Sequence, residues 1–110
     1  MVVLAERADH LAFLATDLMY DRQPDLWEMG EHGRQRTLED FGHHFRALAR
    51  GPDAFRAHVD YCYELFSGRG FPRSWLDDAW TTMAELCRTS LPTDVAAQAL
   101  LALVVVEEPR

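Results

Sequence analysis

The sequence contains no lysine: all 11 of its basic residues are arginine, set against 18 acids for a net charge of −7. With no clustered basic face, neither nucleic acid nor an anionic membrane surface is an expected partner, since both are held by neutralising phosphates. The exclusive use of arginine reads as genome composition rather than as function. Long apolar runs are missing too. The longest, Val95 to Val106, covers twelve residues and is broken by Gln98, whereas a bilayer span takes about 20. Cysteine is scarce. Cys62 and Cys87 are the only two, which excludes a disulfide scaffold and leaves both expected as reduced thiols of a cytoplasmic protein. The N-terminus Met1-Val2-Val3-Leu4-Ala5-Glu6-Arg7 meets charge before an apolar signal core is built, so no secretory peptide is expected. Strand-period segments and internal repeats are also wanting. At 110 residues the chain is the size of one domain, 1–110, with a single core.

What is present is helical periodicity. Leu4, Ala8, Leu11, Ala15 and Leu18 recur at spacings of three and four, the stripe of one amphipathic helix, with Phe13 and Tyr20 off the stripe. Pro24 stops it and opens a short helix over Asp25 to Met29, and Gly30 and Gly33 break the chain. A third helix is predicted from about Arg34 to Arg50, with Leu38, Phe41, Phe45 and Leu48 inward. Gly51-Pro52-Asp53 turns it into a fourth, which carries Phe55, Val59, Cys62 and Phe66 inward and ends at Arg69-Gly70. Leu76, Ala79, Trp80, Met83 and Leu86 line a fifth, with Ser74 and Asp77 as a capping pair. Pro92-Thr93-Asp94 opens the last, which is apolar nearly all round. A surface helix should not be. In so small a domain, cover by a second copy is the favoured explanation, so a homodimer is expected. The fold class is all-α, a compact bundle of five to six helices.

The third and fourth helices carry the most informative chemistry. If they fold back about Gly51, residues whose numbers sum to about 102 share a level, and His44 and His58 do. His58 falls on the apolar face with Phe55 and Cys62, while His44 sits at the edge of the face holding Phe41 and Leu48. Cys62 is one turn from His58, and Asp40 one turn from His44. Two imidazoles and a thiol suit a soft or borderline metal. A lone imidazole facing a cavity could instead serve a haem iron. Plain packing competes with both, because buried histidines are commonly neutral and hydrogen-bonded and buried free cysteines behave as small apolar fillers. His43 is expected on the opposite side, in water.

A second constellation is aromatic: Trp27, Phe41, Phe45, Tyr61, Tyr63, Trp75 and Trp80 could line a pocket for a small apolar ligand, or simply fill a core. Trp75, at a helix start, is the better surface candidate. Gly30-Glu31-His32-Gly33-Arg34 is no phosphate loop, having neither the preceding strand nor a lysine. Arg34 is expected on a buried side, paired with Glu28, Glu31 or Asp40. No serine has a His/Asp relay, and Cys62 has no polar exposed setting, so a hydrolase is not expected.

Taken together, several segments resemble the helical domain that precedes the cobalamin-binding domain in bacterial regulatory and sensory proteins. They are Pro24-Asp25-Leu26 through Gly30 and Gly33-Arg34; Glu39-Asp40 with His44-Phe45-Arg46-Ala47-Leu48; Phe55, Val59 and Tyr61 before Glu64-Leu65-Phe66; and Arg69-Gly70-Phe71-Pro72 before Trp75-Leu76. The likeness spans about residues 7 to 92 and implies a helical cap or signalling module. Nothing in the chain resembles the strand-rich cobalamin domain with its Asp-x-His-x-x-Gly loop, so cobalamin is not expected to bind this chain alone. Helical sensor modules of this size also resemble globins, with or without haem.

Three functions follow. The first is a non-enzymatic regulatory or sensory module that binds an apolar small ligand or a partner protein, with His44, His58, Phe41, Tyr61, Cys62 and Trp80 as ligand-binding residues. The second is a metal- or haem-binding sensor that uses His44 and His58, with Cys62 as third metal ligand. The third is a small helical enzyme with His44 or His58 as general base, oriented by Asp40.

Overall fold

The computed structural model describes residues 2–108. Those residues form six α-helices and no strand: α1 (Val2–Glu6), α2 (Ala8–Arg22), α3 (Gly30–Ala49), α4 (Pro52–Arg69), α5 (Arg73–Ser90) and α6 (Thr93–Leu103). A 3-10 turn, Pro24–Met29, joins α2 to α3, and another, Val104–Glu107, follows α6. None of these helices is long and apolar enough to cross a membrane.

Each helix buries the stripe its spacing dictates. From α2 come Ala8, Leu11, Ala12, Ala15 and Met19; from α3, Phe41, Phe45 and Leu48; from α4, Phe55, Val59 and Cys62; and from α5, Leu76, Ala79, Trp80 and Met83. Phe41, Phe45, Phe55, Leu48 and Met83 are the bulk of the centre, and full burial of such a side chain contributes about 1.5–3 kcal/mol.

Two glycines set the geometry of the middle hairpin. Gly51 has φ 109°, open to glycine without strain, and Pro52 behind it supplies the fixed φ of a first helical position. The backbone thus reverses in a single residue between α3 and α4. At the far end of α4, Gly70 is left-handed at φ 70°. The Phe71 amide donates to the Phe66 carbonyl at 3.0 Å and the Gly70 amide to Ser67 at 3.2 Å. This is a Schellman closure, sealed by the Phe66 and Phe71 rings at 5.4 Å.

The sequence reading needs correction in several places. The N-terminal stripe is two helices, interrupted at Arg7, whose guanidinium donates to the Ser90 carbonyl at 2.7 Å and so ties the break to the end of α5. Gly33 does not break the chain but lies inside α3, where a Cβ would stand 2.5 Å from that of Met29. It is a close-approach glycine rather than a turn glycine. Tyr20 is buried while Phe13 is exposed. Ser74 caps nothing: Pro72, extended at ψ 130°, holds the N-cap of α5, and Asp77 instead accepts the Tyr63 hydroxyl at 2.5 Å.

Helix α6 packs Ala96, Ala99, Ala102 and Leu103 inward and leaves Ala97, Gln98, Leu101 and Val104 outward. Small alanines let it lie close on its neighbours. Its inner face is therefore covered by this chain alone, and its outer face carries exposed Leu101 and Val104.

Candidate functional site

The hairpin at Gly51 brings His44 of α3 and His58 of α4 to one level, with His44 Nδ1 2.7 Å from His58 Nε2. Cys62, one turn along α4 from His58, sets its Sγ 3.4 Å from the same Nε2. The three donor atoms all lie within 4.8 Å of one another. Both His44 and Cys62 are only 6% exposed, and His58 is half-buried.

Aromatic rings hold the imidazoles in place. Trp80 meets His44 edge to face at 4.8 Å, Phe41 does so at 5.7 Å, and Phe55 stacks on His58 at 6.3 Å. Trp80 is fixed in turn, donating through Nε1 to the Tyr63 hydroxyl at 3.0 Å. The cluster stands on rigid helices with packed rotamers, the setting a preformed ligand set requires.

Its electrostatics are those of a neutral, desolvated site. Burial holds His44 well below the usual imidazole range, and the neighbouring His58 and His43 push the same way. Burial, then His43, also lowers His58. The Cys62 thiol is pushed up to about 12, first by burial and then by the Asp40 carboxylate. At neutral pH the cluster is therefore two neutral imidazoles and a protonated thiol. One proton serves the N–N bond, and either ring can carry it. With the proton on His44, the single lone pair of His58 Nε2 must accept from both His44 and the thiol. With the proton on His58, the thiol finds no acceptor at that nitrogen. In either arrangement the N–N bond is made and no buried side-chain nitrogen or oxygen among the described residues lacks a partner, while the thiol remains a weak donor.

A cleft of about 500 Å³ opens beside the cluster, with Asp40, His43, Arg50, Tyr61, Leu65 and Phe66 among its lining residues. Asp40 reaches solvent at its wall, yet the flanking residues raise its carboxyl above the ordinary range by desolvation, against the opposing charges of His43, Arg36 and Arg69. No hydrogen bond joins Asp40 to His44 among the described residues, so the arrangement of a carboxylate-oriented general base is not formed.

The residues named from sequence divide clearly. His44, His58 and Cys62 converge; Tyr61 is exposed and lines the cleft; Phe41 and Trp80 are buried walls behind His44 rather than cleft residues. His43 is exposed as expected but borders the same cleft, its Nδ1 3.3 Å from Arg46. Trp75 is half-buried against Phe71. The apolar space between Met19, Phe41, His44, Trp75 and Leu76 is about 50 Å³. That holds a water or two, far below the ~300 Å³ and upward of an organic-ligand pocket.

Arg34 corrects the expected pairing. Its guanidinium bonds Asp17 of α2, not Glu28, Glu31 or Asp40, and lies 5.9 Å from the ring centres of both Tyr20 and Trp27. Sequence reasoning missed Arg50 as a cleft residue. Its spacing of three from Ala47 and seven from His43 was the available signal.

No family model, no curated protein and no solved structure matches the chain, and nothing links it to the helical domain that precedes cobalamin-binding domains. Fold and site together define a helical bundle with an inward-facing pair of imidazoles and a thiol at the base of an open cleft.

Proposed function

We propose that the chain is a metal-binding regulatory module that holds a zinc-like divalent ion through His44 Nδ1, His58 Nε2 and Cys62 Sγ. The observation that carries this reading is the convergence of three ligand-type atoms, from two helices, within 4.8 Å of one another. A tetrahedral ion with bonds of ~2.0–2.1 Å to nitrogen and ~2.3 Å to sulfur needs its two nitrogens ~3.3 Å apart. From 2.7 Å, the rings need to part by ~0.6 Å, while the widest pair, up to 4.8 Å apart, must close toward the ~3.5 Å of a tetrahedral nitrogen–sulfur pair. His58, at the half-buried edge, has the freedom to move.

Metal binding replaces the thiol proton, while the proton shared by the imidazoles moves to a ring nitrogen that does not ligate, so one cation is bound by all three atoms. Two imidazoles and a thiolate also occur in copper electron-transfer sites, which most often add a long axial thioether. No methionine lines the cleft among the described residues. The compact donor set favours an ion over haem, because the two rings touch at a centroid separation of 5.0 Å with no slot for a macrocycle between them. With three protein ligands the ion keeps one position open, unlike the closed four-ligand set of a structural staple.

Titration of the metal-free chain with Co(II) tests the reading. One equivalent should bind with a thiolate-to-metal charge-transfer band in the near ultraviolet. Cys62→Ala should abolish that band, and His58→Phe should remove binding while the helical circular dichroism stays intact. A chain that binds no Co(II) or Zn(II) at micromolar concentration contradicts it.

With this reading goes a homodimer through the outer face of α6 and part of α1, supported by the exposure of Leu101, Val104 and Val2. Light scattering that gives a monomer mass at micromolar concentration would count against it.

A further inference from the structure

The three protein donors leave a tetrahedral ion one ligand short, and the cleft opens on the same cluster. The chain carries a net charge of −7, yet the cleft inverts that sign locally: Arg46 and Arg50 border it against the single carboxylate of Asp40. That carboxylate is already answered by His43, Arg36 and Arg69. Arg46 in the last turn of α3 and Arg50 at its C-cap stand one turn apart, both on the cleft. Arg46 folds over Gly42, where a Cβ would come within 3.2 Å of the guanidinium, to reach Asp9 at 3.0 Å. Arg50 has no carboxylate partner among the described residues. The remaining wall, Ala47, Leu65 and Phe66, is apolar.

We infer that the fourth coordination position opens into this cleft and takes the carboxylate of a small organic acid, whose charge Arg50 answers and whose hydrocarbon end lies on Leu65 and Phe66. The inference rests on the metal reading above. A guanidinium is matched to carboxylate geometry. The ion and Arg50 together also give the ligand two fixed points, so orientation as well as charge is recognised. The cleft, about 500 Å³ including its open mouth, has ample room for a small organic acid.

The experiment uses the full chain loaded with one equivalent of Co(II), whose d–d absorption reports exchange of the fourth ligand, titrated in turn with propionate, inorganic phosphate and propylamine. Propionate should change the d–d spectrum saturably. Arg50→Ala should weaken the propionate response about tenfold, the size expected for loss of one charge-assisted pair, while Co(II) affinity stays within about twofold. Arg50→Lys should recover part of the response. Lack of a propionate effect, with the thiolate band present, overturns the inference and leaves the metal reading standing. A response unchanged in Arg50→Ala, or one in which phosphate or propylamine matches propionate, overturns the assignment to a carboxylate held by Arg50. If the thiolate band never forms, both readings fall together.

Discussion

Two of the hollows along α3 differ in kind, and the larger of the two is not the one with the chemistry. The groove between α2, the 3-10 turn and α3 measures about 970 Å³ and is bordered by Asp17, Asp21, Glu31, Tyr20, Trp27 and Arg34. Its cation is built in: the Arg34 guanidinium lies near both aromatic rings and bonds Asp17. The cleft between α3 and α4 is half that size, but its base carries three ligand-type atoms within 4.8 Å of one another. The difference teaches that a site is marked by converging ligand-type atoms rather than by volume. The first hollow has supplied its own guest; the second has not.

The comparison breaks most directly by removing a donor. Cys62→Ala should lower zinc affinity by about 100-fold or more, beyond the 10–100-fold typical of residues that merely support a ligand. Arg34→Ala, on the other side of α3, should leave that affinity within about twofold. Competition with a chromophoric chelator measures both. Equal losses in the two variants would mean that the zinc is not held at the α3–α4 cleft.

Proton release sharpens it next. With the thiol at about 12 and both imidazoles already neutral, binding should release one proton. Zinc affinity should then rise about tenfold per pH unit between about pH 7 and 9. A flat profile would exclude Cys62 as a ligand.

The metal-free protein should show the cluster in its own stability. Both histidines are depressed in the folded state, so the unfolded chain binds more protons below its own histidine pKa of about 6.5. Stability is thus fully present above about pH 6.5 and is lost as pH falls from there toward the folded values. The slope is at most about 1.4 kcal/mol per pH unit for each histidine. Thermal melts of His58→Phe should show a shallower fall than the parent, and parallel curves would contradict the assignment.

The smallest effect belongs to the acidic groove. Arg34→Ala loses one partly exposed ion pair and two long cation–π contacts, about 1 kcal/mol together, read as a small drop in melting temperature with no change in pH slope.

Much of this was legible in the sequence because it is local. Gly51-Pro52 fixes one corner, and once the corner is known the level of every residue on α3 and α4 follows, which is why His44 and His58 meet. Cys62 came with them through one turn of α4. What the sequence did not disclose depends on contacts between distant elements. Arg34 faced three nearby carboxylates in sequence and bonded Asp17, 17 residues back, because α2 packs along α3. The break at Arg7 depends on the end of α5, 83 residues on. Gly33 was misread for the opposite reason, since a glycine needed for the approach of Met29 looks the same in sequence as one needed for a turn. Phe41 and Trp80 were placed in a ligand pocket because periodicity gives the inward face but not which inward space is filled.

X-ray absorption at the zinc edge, on the chain loaded with one equivalent, tests the central claim most directly. The account predicts a shell of one sulfur at ~2.3 Å and two imidazole nitrogens at ~2.0–2.1 Å, with one further light atom. A shell of nitrogen and oxygen alone, without sulfur, would contradict it.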